Sequence, residues 1–144
     1  MKRLRQYLEL TPAGRAVVLR SLLLLPAVAA LLRVRGMAHT TALLKRQERR
    51  GEGDLGAITP REIARIVDAT ATLLRTKCLP RSLVLWHFLH RRRASAEVRL
   101  GVSKLTEGGL AAHAWVELDG IPLNASSEVL AHYAALPLRE QFLN

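Results

Sequence analysis

The chain has one cysteine, 12 acidic residues and only two each of Trp, Tyr and Phe in 144 residues. Each scarcity excludes something. A lone cysteine forms no internal disulfide, so nothing demands an oxidising compartment, and no Cys/His spacing completes a zinc site. A reducing cytoplasm is therefore expected, with no metal and no other cofactor. So few aromatics leave no stacking surface for a single strand, and nucleic acid is not an expected partner despite the formal net charge of +10. That charge comes from 22 Lys+Arg, nearly all arginine. In a chain also rich in Ala and Leu it reads partly as codon bias; as a field it would attract an acidic peptide or another anionic surface.

A long uninterrupted apolar run is also missing. "MKRLRQ", the stretch from Ser21 to Leu32 and the triplet Ala27-Val28-Ala29 together have the form of a signal peptide. Arg20 interrupts the run, and its 12 residues fall short of the roughly 20 that cross a bilayer. A buried or surface-docking helix is expected instead, and a membrane is not an expected partner. Thr11-Pro12 supplies an N-cap and an N1 proline, with a kink predicted at Pro26.

The length suits one compact domain with a real core. Its organisation reads as an N-terminal helical section over 1–50, a connector over 51–58 carrying Gly51, Gly53 and Gly56, and a core over 59–144. Thr59-Pro60-Arg61-Glu62 has the form of a capping box, predicting a helix to about Arg75 with Ile63, Val67, Ala71 and Leu74 on its buried face. The next helix, from Leu79 to Phe88, is apolar nearly all round, as in the middle of a domain. Pro80 belongs in its first turn, so Cys78 lies at or just before its N-terminus. Unpaired N–H groups there favour a thiolate and can hold an oxyanion.

After "RRRAS" the period changes to two. Val98, Leu100 and Val102 predict one strand; Ala112, Ala114, Val116 and Leu118, alternating with His113, Trp115 and Glu117, predict another. Asp119-Gly120 predicts a two-residue hairpin that pairs Leu118 with Ile121 and continues to Trp115 opposite Asn124. His113, Trp115 and Asn124 then share a face, and the diagonal spacing of about 7 to 8 Å lets the Asn124 amide reach the His113 ring. Asp119, about 20 Å along the strand, is too far. Cys78, His113 and Asn124 form the set a Cys-His-Asn hydrolase needs.

Each residue also has a plainer role open to it. Cys78 suits an inert small hydrophobe, His113 a satisfied half-buried imidazole, Trp115 a core residue, and Asn124 a local backbone bond. Glu117 could face solvent. His39, His87, His90 and His132 have no complementary ligand pattern and read as surface or packing residues.

"CLPRSLVLWHFLHRRR", "VRLGVSK" and "AHAWVELDGIPLN", in that order, resemble the lasso-peptide biosynthesis B2 proteins, and "YLELTPAGRAVVLRSLLLL" resembles the helical region before their peptidase core. The likeness covers about residues 58–138. It implies an α+β fold, with a papain- and transglutaminase-like core in which the Cys-bearing helix packs on a small antiparallel sheet. It implies leader peptidase activity on a ribosomally made precursor, ahead of closure by an ATP-dependent macrolactam cyclase, with a separate protein holding the leader. The precursor, that leader-recognition protein and the cyclase are the implied partners. By position Cys78 is the nucleophile and His113 the base and acid. Relatives carry an aspartate where this chain reads Asn124-Ala125, which leaves Asn124 as a papain-like substitute or the triad weakened. The alternative is an inactive scaffold of the same fold that binds a peptide or partner through its Cys/His face and basic surface.

Overall fold

The computed structural model describes residues 10–48, 57–104 and 109–136. Most of the expected connector lies outside them. Helix α1 (Pro12–Glu48) starts as its sequence dictates: Thr11 Oγ1 accepts from the Gly14 N–H at 3.1 Å, with Pro12 at N1. The predicted kink is misplaced, however. The helix carries Pro26 and breaks at Gly36, whose φ of 75° and ψ of −179° suit only glycine. Pro26 is exposed, so the Leu22 carbonyl that it deprives of a donor can turn to water. Gly36 loses the most conformational freedom on entering a helix, and the chain resumes beyond it with Thr40 and Thr41 hydroxyls donating back to the carbonyls of Gly36, Met37 and Ala38.

One stripe of α1, Val17, Ser21, Leu25 and Val28, is fully buried. Its apolar members share a single core with α2 and α3, so the N-terminal section packs into the rest. The outer stripe is apolar too, with Leu19, Leu23 and Val34 more than half exposed. By length and composition alone α1 would suffice to cross a bilayer, with a mean hydropathy of 2.1 in its most apolar window.

Helix α2 (Pro60–Leu73) opens on the capping box read from the sequence: the Glu62 N–H donates to Thr59 Oγ1 and the Thr59 N–H to Glu62 Oε2. Thr59 also holds the Glu62 carboxyl below its ordinary range. Ile63, Val67 and Ala71 are buried as expected, but Leu74 is 41% exposed because the helix ends at Leu73 and Arg75 turns left-handed, φ 51°. Helix α3 (Cys78–Arg91) then runs through the middle of the molecule, buried without a break from Ser82 to Leu89.

The strands β1 (Ala96–Lys104), β2 (Leu110–Leu118), β3 (Ile121–Pro122) and β4 (Ala134–Ala135) form an antiparallel sheet in the order β3-β2-β1-β4. Between β3 and β4 lies the short helix α4 (Ser127–Leu130). Asp119 and Gly120, φ 51° and 78°, make the left-handed pair of a tight hairpin, and Leu118 pairs with Ile121 as predicted. Val98 and Val116 face the helices and enter the core, whereas Arg99, Trp115 and Glu117 point to the other side. The result is an α+β fold in which a buried helix lies on a small antiparallel sheet.

Candidate active site

Cys78 occupies the first turn of α3, half-buried, with Lys77 as N-cap residue. Lys77 supplies no side-chain cap, so the first-turn N–H groups stay open to a ligand. Arg81 anchors this end of the helix to α2: its guanidinium pairs with Asp68 at 3.3 Å and donates to the Thr76 carbonyl. Burial pushes the Asp68 carboxyl up, and Arg81 opposes that shift.

Two hydrogen bonds set the level of α3 along β2. Near its start, Ser82 Oγ donates to the Ala114 carbonyl at 3.0 Å. Near its end, His90 Nε2 meets the carbonyl of Ala96, the residue opposite Leu118, at 3.0 Å. Helix and strand therefore run in the same direction, eight helical residues spanning about 12 Å against about 13 Å for four strand residues. Cys78, one turn before Ser82 and on its face of the helix, falls about 6 Å further back, level with Ala112 and His113. The carbonyl of Ala114 points to the same edge of β2 as that of Val116, which accepts from the Leu123 N–H. Ser82 thus meets the edge of β2 that β3 leaves open, and His113 projects from the face of β2 that carries Trp115 and Glu117.

His113 is held by rings. It stacks on Trp115 with centroids 6.2 Å apart and tilts against Tyr133 at 5.3 Å. Burial, and then the nearby Arg81 charge, push its pKa down, which keeps the imidazole neutral near pH 7. Among the described residues no hydrogen bond joins the thiol to the imidazole. Catalytic hydrogen bonds commonly tighten only once substrate is bound.

Asn124 is placed differently from the sequence expectation. The ladder ends at Pro122, and the chain bends away through residues 123–125. In place of a backbone carbonyl, Asn124 Oδ1 accepts from the Val116 N–H at 2.8 Å, while Nδ2 donates to Ser82 Oγ at 3.1 Å. The amide faces α3 and makes no hydrogen bond with His113. It seals the edge of β2 where β3 departs, and with Ser82 it fixes how α3 sits on the strand. Ala125 follows in the same bend, half-buried and without the acid of the resembled pattern.

Several residues here were not singled out by sequence pattern. Glu117 is not merely solvated: its carboxylate accepts from Trp115 Nε1 at 2.9 Å and from Arg99 Nε at 3.1 Å, bracing the ring beneath His113. Gly101, opposite His113, leaves the space that Trp115 and Tyr133 occupy. Ser82 is completely buried, a polar residue inside an apolar helix, and that oddity was the available signal. Tyr133 carried none.

The curated proteins and the solved structures contain no match to this chain. The sequence profile of the transglutaminase-like superfamily, which includes cysteine peptidases, matches residues 21–137. That span takes in most of α1, all of α2 and α3, and the whole sheet; the chain belongs to the transglutaminase-like superfamily.

Proposed function

We propose that this chain is a cytoplasmic cysteine endopeptidase that removes the leader from a ribosomally made lasso-peptide precursor before macrolactam closure. The observation that carries the thiol chemistry is the placement of Cys78 in the first turn of α3, level with a neutral His113. The finer reading is supported by the order and spacing of the Cys-leading and "AHAWVE" segments. His113 takes the thiol proton, the thiolate attacks the last leader carbonyl, and His113 protonates the departing core amine. Water, deprotonated by His113, then resolves the thioester. The Cys78 N–H is the oxyanion donor. Asn124 and Ser82 act as positioning residues: they set the register of α3 on β2, and hence of thiol on imidazole.

The test is mass spectrometry of a candidate precursor mixed with the protein, with and without a leader-recognition protein. Cleavage should be slow alone and fast with that partner, which raises the effective concentration of the leader. It should fall by several orders of magnitude in Cys78→Ala, survive EDTA and stop with iodoacetamide. Retention of substantial turnover by Cys78→Ala would sink the nucleophile assignment. The second reading, an inactive scaffold that binds a peptide or partner through the same face, draws on Ala125 and on an Asn124 amide tied to Val116 and Ser82. It predicts a precursor that binds and stays uncut.

A further inference from the structure

Between α1 and the last turns of α3 the molecule opens into a cavity of about 520 Å³, walled by Arg20, Leu23, Leu24 and Gln47 of α1 and by His87, Phe88 and Arg91 of α3. Its α3 residues lie roughly 14 to 20 Å along the helix from Cys78, so it is no part of the thiol site. Among its buried polar atoms, Arg20 Nη1 and His87 Nδ1 meet no partner among the described residues, and the histidine is only 2% exposed. The other ring nitrogen of His87 faces the Leu44 backbone.

Those facts specify a ligand. Burial, followed by the charges of Arg91, His90 and Arg20, holds the His87 pKa down to about 4, so the ring is neutral near pH 7. The tautomer with its N–H on Nε2, toward Leu44, leaves Nδ1 as an acceptor in want of a donor. Arg20 supplies positive charge at its unmet Nη1, and no carboxylate is among the described residues that line the cavity. At the mouth, Leu23 is 74% exposed, and Leu19, one turn earlier on α1, is 56% exposed. Each unmet buried group costs about 1–3 kcal/mol, which a fitting ligand would recover.

We propose that this cavity docks a peptide segment in which an acidic side chain lies among apolar ones: the carboxylate meets Arg20 Nη1, a backbone N–H donates to His87 Nδ1, and the flanking apolar side chains cover Leu19 and Leu23. A lipid surface fits less well. A phosphodiester offers acceptors only and leaves His87 Nδ1 unmet, and a recess between two helices admits a side chain but not a flat bilayer. The docking site does not depend on the thiol chemistry, and its test reads binding alone.

The full chain is titrated with acetyl-Ser-Leu-Glu-Leu-Ser-amide and with its Gln analogue, following the His87 ring nitrogens by NMR and the affinity by calorimetry. The Glu peptide should shift the His87 ring and bind about 10-fold tighter than the Gln peptide, the worth of a charge-assisted hydrogen bond. Arg20→Gln should abolish that preference. Leu23→Asp, on an exposed position that leaves folding intact, should do the same by repulsion. Equal affinities for the two peptides, an unmoved His87 ring at millimolar peptide, or a Glu preference that survives both substitutions overturns the proposal. So does sedimentation with phosphatidylglycerol vesicles without any response to peptide, which would assign the surface to lipid.

Discussion

Gly101→Ala tests how the His113 ring is held. A Cβ at this position would lie 2.9 Å from Trp115 Cζ3, 3.0 Å from its Cη2 and 2.9 Å from the Tyr133 Cβ. Neither neighbour yields cheaply: the indole is braced by Glu117, and the Tyr133 atom belongs to a stem fixed by the pairing of Ala134 with Val102. Overpacking of this kind costs about 1–3 kcal/mol. Alanine in an extended strand also gains about 0.4–1 kcal/mol by restricting the unfolded chain. Overpacking wins, and the net loss is about 0.5–2 kcal/mol. Urea denaturation should show a lower midpoint at an unchanged slope. In a Trp115→Leu background, where two of the three contacts vanish and the Tyr133 contact remains, the cost should shrink, a coupling that a double-mutant cycle reads directly. Because the indole must move, the stacked imidazole moves with it. Cleavage by the folded Gly101→Ala protein should therefore drop by about 10-fold or more, as misplacements on the ångström scale do. A Gly101→Ala protein more stable than its parent, or one whose cost is undiminished without Trp115, would refute the packing described for this face.

The other substitutions probe separate parts of the site. Asn124→Ala should cost about 1–3 kcal/mol by stranding the Val116 N–H and the Ser82 hydroxyl, and lower turnover without moving the pH at which His113 titrates; a shifted pH profile would return Asn124 to the imidazole. Asp119→Asn should be silent in both stability and turnover, since asparagine accepts the left-handed turn equally well, and a large loss would mean that Asp119 has a partner beyond the turn. The pKa of His87 is lowered on folding, so its neutral burial contributes stability that is whole above about pH 6.5 and is lost as pH falls toward about 4. The loss is on the order of 3 kcal/mol. Thermal melts across that window should flatten in His87→Gln, and an unchanged acid slope would show that the ring is not buried neutral.

What the sequence determined by itself is local. The N-cap at Thr11, the capping box at Thr59 and Glu62, the placing of Cys78 ahead of Pro80, the period-two strands and the Asp119-Gly120 turn all appear where they were read. Each depends on residues within about a turn of one another, and such contacts form with little help from the rest of the fold. Only the tertiary structure decided the remainder. Ser82 and Ala114 are 32 residues apart in the chain, and Ser82 and Asn124 are 42 apart, yet these bonds set the level of thiol against imidazole. Extending the hairpin ladder put Asn124 beside His113; in the fold, an edge left unpaired beside a buried serine drew the amide the other way. The helix break passed from Pro26 to Gly36 because a proline facing solvent can release its carbonyl to water, a matter of burial that periodicity does not carry. His87 looked like one packing histidine among several. Its meaning comes from the arginine that α1 sets beside it and from a buried ring nitrogen that no described residue meets.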